Sequence, residues 1–224
     1  MDDLRPEDEI EFEPAEAEAV LVPWDPWSDA ALRLALFGLE PTAPLAFLAS
    51  DTLYDMLGHG SLETRREVGG VLVGEFAVSP RGPVTRVEDI IIADTNQASL
   101  THVTFTHDAW DRIHEALGRR DDGVRIVGWY HTHPGFGPFL SAHDLFIHEN
   151  FFADRLQVAL VLDPVQNLFG VFGWRGDKVE RYQGCYLYDE AERTDELDRL
   201  IGSLVYGRER EAHRSGLFSW VRRR

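Results

Sequence analysis

The sequence predicts an α/β or α+β domain, and three observations carry that expectation. Short apolar, β-branched runs alternate with segments that begin at helix-capping residues and end near glycine. At 224 residues the chain suits one domain with extensions, or at most two small domains. A composition of 44% hydrophobic and 27% charged residues is that of a globular protein rather than a disordered or fibrous one.

The elements follow in order. Residues 1–20 hold nine Asp or Glu and one Arg, and 1–19 read as an acidic lead too poor in aromatics to bury much surface. Trp24-Asp25-Pro26-Trp27 reads as a turn, and Ser28 as the cap of a short helix reaching about Gly38. Glu40 to Pro44 reads as a boundary. Leu45 to Ala49 is a short apolar run, and Ser50-Asp51 opens a helix ending near Gly58 and Gly60. Val68 to Val78 and Val84 to Ala93 read as strands. Val103 to Thr106 is short and β-prone, Thr106 or Asp108 caps a helix from Ala109 to Leu117, and Gly118 is placed as a left-handed cap. Gly123 to Tyr130 is a strand, Ser141 to Phe152 a helix and Leu156 to Leu162 an apolar strand. Leu168 to Trp174 with Val179 to Leu187 suggests a hairpin, and Leu197, Leu200, Ile201, Leu204 and Val205 share one helical face. The division is therefore 1–42 as an acidic, partly disordered extension, 43–190 as the domain, and 191–224 as a helix with a basic tail.

Composition excludes several functions. The single cysteine, Cys185, rules out a disulfide framework and a multi-cysteine zinc cluster. A formal charge of -17 argues against nucleic acid as the main partner, because phosphate binding needs surplus Lys and Arg. No run approaches the roughly 18 apolar residues of a membrane span. The acidic N-terminus lacks the charge and apolar core of a signal peptide, so a cytoplasmic location is expected.

The chemistry is concentrated in Val127-Gly128-Trp129-Tyr130-His131-Thr132-His133-Pro134, followed by Ser141 and Asp144. Residues two apart on a strand point to one side, so His131 and His133 can present both imidazoles to one point. Pro134 has no N–H to donate and ends the ladder there. Asp144, in the first turn of the next helix, can add a carboxylate oxygen. Two His and one carboxylate leave a fourth tetrahedral position open, the arrangement of a catalytic zinc. Ser141-Ala142-His143-Asp144 also reads as a capping box, which would explain both residues without a metal. His148, four residues after Asp144, is a competing ligand or a packing residue.

This segment, His131-x-His133-Pro134, six residues, Ser141, two residues, Asp144, resembles the JAMM (MPN+) zinc metalloprotease motif with no departure in spacing. The flanks Gly128-Trp129-Tyr130, Gly135-Phe136-Gly137 and Leu140 look most like the proteasome-lid and COP9-signalosome deubiquitinase branch, and a prokaryotic member is expected. The resemblance spans about residues 45–175 and includes Arg66-Glu67-Val68-Gly69-Gly70-Val71-Leu72-Val73-Gly74, similar to the family's glutamate-bearing segment. Pro138 and Phe139 stand where relatives often carry Cys and Trp. The resemblance implies a three-layer, cytidine-deaminase-like core with a central mixed β-sheet flanked by helices. It implies a Zn2+ cofactor held by His131, His133 and Asp144, with Glu67 as general base and Ser141 stabilising the oxyanion. Glu63, Glu75 and Glu88 are nearby acids, and only the family register singles out Glu67. His59, His102, His107, His114, His143 and His213 are left as structural or surface residues, and Cys185 as inert.

The implied function is hydrolysis of the isopeptide bond between a C-terminal glycine of ubiquitin or a ubiquitin-like modifier and a target lysine. E1-like or E2-like conjugation proteins are possible partners. The alternatives are a peptidase trimming the tail of a ubiquitin-like or sulfur-carrier protein, and a zinc-binding scaffold without turnover. A zinc nucleobase deaminase needs a Pro-Cys-x-x-Cys pair, which one cysteine cannot supply. If the acidic lead is a solvated tail, deleting residues 1–19 leaves zinc content and melting temperature nearly unchanged; a large drop in melting temperature would show that it packs.

Overall fold

Two consecutive glycines, Gly69 and Gly70, begin the strand on which the sheet is built, and the neighbouring strands lie close against them. The computed structural model describes residues 20–28, 32–36, 44–93, 105–120, 123–188 and 199. Among these, the strands are β1 (Val22–Pro23), β2 (Leu32–Leu36), β3 (Leu45–Ala49), β4 (Gly69–Ser79), β5 (Gly82–Ile92), β6 (Arg125–Thr132), β7 (Val158–Asp163), β8 (Leu168–Arg175), β9 (Lys178–Arg181) and β10 (Cys185–Tyr188). The helices are α1 (Ser50–Leu62), α2 (His107–Gly118) and α3 (Ala142–Phe151). The strands form one mixed sheet in the order β2-β10-β3-β5-β4-β6-β7-β8-β9, with β1 paired to β4. This is the α+β arrangement expected.

Side-chain alternation along the central strands divides the core between two faces. Leu72, Tyr130, Leu160 and Leu162 pack with Leu53 and Met56 of α1 on one face. Val71, Val73, Trp129 and Val161 pack with Trp110 and Ile113 of α2 and Ile147 of α3 on the other. At the far end Phe47 and Tyr186 stack at 4.9 Å, and Trp24 and Trp27 meet Phe47 edge-on. No helix among the described residues is long and apolar enough to cross a membrane.

Three local expectations are corrected. Residues 32–36 form a strand where a helix from Ser28 was expected; the Ser28 hydroxyl donates to the Asp25 carbonyl instead of capping. Leu32-Arg33-Leu34-Ala35-Leu36 has a period of two, and its antiparallel partner β10 lies about 150 residues away, out of reach of a local reading. The expected arm from Val179 to Leu187 is two strands: β9 pairs with β8, whereas β10 crosses to the opposite side of the sheet to pair parallel with β3. Gly118 is the last residue of α2 and Arg119, in right-handed geometry, is its cap, so no left-handed residue ends this helix. The expected 43–190 domain receives β1 and β2 from before residue 43. Of the β-prone segment from Val103 to Thr106, residues 103–104 lie outside the described residues, while Phe105 and Thr106 belong to no strand and Thr106 caps α2. The face from Leu197 to Val205 lies outside the described residues apart from Arg199 within it, as do the acidic lead and basic tail.

These observations set two opposite stability changes. A Cβ at Gly118 meets open space, so Gly118→Ala should stabilise the chain by about 0.5–1 kcal/mol through helix propensity. A Cβ at Gly69 would collide with the Tyr130 carbonyl, so Gly69→Ala should destabilise it by about 1–3 kcal/mol. Denaturant titration of both variants checks the signs.

Candidate metal centre

The centre is built where β6 ends and α3 begins. Strand alternation puts His131 and His133 on the α3 face, and their Nε2 atoms lie 3.0 Å apart. The His133 N–H donates to the Leu162 carbonyl at 2.7 Å, so the chain remains tied to β7 one residue beyond the end of β6. The loop 134–140 then returns the chain to Ser141, the N-cap of α3.

Ser141 and Asp144 form a capping box. The Ser141 hydroxyl accepts from the Asp144 N–H at 3.2 Å, and Asp144 Oδ2 accepts from the Ser141 N–H at 2.7 Å. The same Oδ2 lies 3.5 Å from both His131 Nε2 and His133 Nε2. Capping and convergence on the histidines are thus one arrangement. The box fixes the carboxylate, and the helix N-terminus favours its negative charge.

The three side chains are buried, and each offers one ligand atom within 4.8 Å of the others. Ligands at 2.0–2.1 Å from a tetrahedral zinc stand roughly 3.3 Å apart, and the observed 3.0, 3.5 and 3.5 Å fit such an ion. Both Nδ1 atoms lack a hydrogen-bond partner among the described residues. The donor set of two imidazoles and a carboxylate suits zinc.

Packing orients the rings. Trp129 stacks on His131 at 4.6 Å and 11°, with Phe152 stacked on Trp129 at 5.7 Å. The Trp129 Nε1–H donates to His148 Nδ1 at 3.1 Å, which makes His148 a buried packing residue outside the ligand group. Burial lowers its pKa to about 4, so it stays neutral. Phe139 tilts over His133 at 4.5 Å.

Glu67 enters from the other side. The Val68 N–H donates to Thr132 Oγ1 at 3.0 Å and its carbonyl accepts from the Thr132 N–H at 2.9 Å. This double tie, one residue before β4, places Glu67 Oε1 3.6 Å from His133 Nε2. Burial pushes the Glu67 carboxyl up to about 7; His133 opposes that rise and Asp144 adds to it. Asp144 is raised by burial too, but its contacts with His131, His133 and Ser141 outweigh this and hold it below the ordinary carboxylate range. Burial lowers the pKa of His131, whereas at His133 the contacts with Asp144 and Glu67 overcome burial and raise it.

The remaining candidates are placed elsewhere. Glu63 accepts from the Arg65 N–H, and Glu75 and Glu88 pair with Arg86. His59 Nδ1 meets the Tyr130 hydroxyl at 2.8 Å, while His107, His114 and His143 are exposed. His102 and His213 lie outside the described residues. Cys185 is buried, its thiol pushed up to about 12, which suits an inert core residue. Sequence reasoning missed Asp163, a wholly buried carboxylate beside the loop 134–140; the only hint was Asp163-Pro164 closing an apolar run.

The profile of the JAB1/Mov34/MPN/PAD-1 ubiquitin protease family matches residues 46–155, which include Glu67, His131, His133, Ser141 and Asp144. Residues 46–155 form a domain of that family. The chain's curated relatives include the 26S proteasome non-ATPase regulatory subunit 14 of Drosophila melanogaster, 32% identical over 137 residues, covering 58% of this chain and 41% of the relative. Another is the ubiquitin carboxyl-terminal hydrolase RPN11 of Saccharomyces cerevisiae, 30% identical over 137 residues, covering 59% of this chain and 43% of the relative. The matched part thus spans less than half the length of these proteasomal relatives. The solution structure of protein DSY2949 from Desulfitobacterium hafniense shares the fold, with a TM-score of 0.51 at 20% identity over 66% of this chain and 96% of that one.

Elemental analysis of purified protein should find one zinc per chain. His131→Ala or His133→Ala should reduce it to near zero, and His148→Gln, outside the ligand group, should retain it. Full zinc in His133→Ala would place the site elsewhere.

Proposed function

We propose that this chain is a zinc-dependent isopeptidase that releases ubiquitin or a ubiquitin-like modifier, joined through its C-terminal glycine, from a target lysine. The observation that carries the reading is the buried convergence of His131, His133 and Asp144 beside Glu67, in a chain whose relatives include a ubiquitin carboxyl-terminal hydrolase. Bound here, zinc would lower the pKa of water to about 7 and polarise a carbonyl oxygen. His131, His133 and Asp144 are its ligands in this proposal.

Glu67 acts as the general base. Its carboxylate takes a proton from the attacking water as the new C–O bond forms at the glycine carbonyl carbon. The C–N bond then breaks, and Glu67 returns that proton to the leaving lysine amine. Burial raises this carboxyl above its ordinary value, which favours its taking a proton. Ser141 stabilises the developing oxyanion: its oxygen already accepts the Asp144 N–H, which leaves the hydroxyl proton to donate. An extended, glycine-ending tail fits an approach between a strand end and a helix N-terminus. The proposal places the enzyme in the cytoplasm, served by E1-like and E2-like conjugation proteins.

Glu67→Gln should keep zinc and fold yet lose nearly all hydrolysis, since an amide cannot take the proton. Glu63→Gln and Glu75→Gln should remain active. Incubation of the wild type with a ubiquitin-like conjugate, and separately with casein, with and without a chelator, tests the bond cleaved. Chelator-sensitive release of intact modifier is expected; casein digestion at many sites would point to a general metalloprotease, and zinc binding without any cleavage to a scaffold.

A further inference from the structure

We infer that Asp163 is a positioning residue for the metal centre: its buried carboxylate clamps the loop that joins His133 to Ser141, and so sets the distance between the histidines and Asp144. The inference rests on the reading of His131, His133 and Asp144 as metal ligands.

Asp163 is the last residue of β7, whose parallel register pairs Leu162 with Thr132. The next residue along each strand brings Asp163 alongside His133, and alternation places it on the same face as Val161, which pairs with His131. Its carboxylate is wholly buried and accepts five hydrogen bonds, all from amides. Oδ1 takes the N–H groups of Gly135 at 2.9 Å, Val165 at 2.9 Å and Gln166 at 3.0 Å. Oδ2 takes the Gly137 N–H and the Gln166 side-chain amide, each at 2.8 Å.

Burying a carboxylate is costly unless it is fully hydrogen-bonded, and here the bonds do more than satisfy it. Gly135 and Gly137 both have φ of +82°, a left-handed conformation that turns two alternate loop amides onto one carboxylate. The loop also sits close on β8, where a Cβ at Gly170 would crowd Pro138. Between these anchors Phe139 lies over the His133 ring. The loop is therefore held at its start by the His133 N–H, in its middle by Asp163, and at its end by the capping box. Without the middle tie, the loop between His133 and Ser141 loses both main-chain bonds at Gly135 and Gly137, and the position of Asp144 Oδ2 relative to the two Nε2 atoms rests on the loop's ends and the packing of α3.

The test uses the intact chain and zinc alone. Asp163→Asn preserves size but turns one acceptor into an NH₂ group facing N–H donors. Zinc affinity, read by competition with a chromophoric chelator, should weaken by about 10–100-fold, as for loss of other groups that orient ligands. Gln166→Ala, which removes one donor outside the loop, should stay within about twofold of wild type on the same scale. A folded Asp163→Asn that binds zinc as tightly as wild type overturns the inference. If that variant does not fold, amide exchange of the wild type decides. Slow exchange at Gly135 and Gly137, comparable with β7, supports the clamp; exchange at the rate of an open loop overturns it. Neither readout needs a substrate, so a wild type that binds zinc but cleaves no conjugate defeats the isopeptidase reading alone, while one that binds no zinc defeats both.

Discussion

One carboxylate oxygen, Asp144 Oδ2, carries two duties on which the rest of the centre depends. It accepts the Ser141 N–H as half of a capping box, and it faces the Nε2 atoms of both histidines at equal distance. A helix needs its first N–H groups satisfied, and a metal site needs an oriented acid; here one side chain meets both needs. The rotamer is therefore fixed by helix formation itself. Negative charge at that point is favoured by the helix dipole and by two imidazoles, which keeps the acid ionised despite its burial.

The sheet supplies the complementary half. β4 approaches β6 closely because Gly69 has no side chain, and the paired Val68 and Thr132 backbones bring Glu67 to the edge of the centre. The two acids then experience different environments. Asp144 is surrounded by partners that favour its charge, while Glu67 has one oxygen without a partner among the described residues and is raised by burial. Two carboxyls separated in this way suit two roles, one to bind and one to move a proton.

What could be read from the sequence follows how local each determinant is. The convergence of His131 and His133 needs only strand geometry, and the Ser141–Asp144 box only a helix start, so both were legible from spacing. Glu67 was not distinguishable from Glu63, Glu75 or Glu88 by its neighbours, because its placement depends on the pairing of Val68 with Thr132, 64 residues apart. Leu32 to Leu36 was misread as helix for a similar reason: its partner strand β10 lies near the far end of the described chain. Asp163 was invisible because its five donors come from two separate loops, and nothing in Asp163-Pro164 announces them.

The central claim is that a metal is held by two imidazoles and a carboxylate at the junction of β6 and α3. X-ray absorption at the zinc edge of the loaded protein tests it without reference to activity. The account predicts a first shell of nitrogen and oxygen at about 2.0–2.1 Å with multiple-scattering features of two imidazoles. A sulfur scatterer near 2.3 Å, or a shell containing three or more imidazoles, would contradict it.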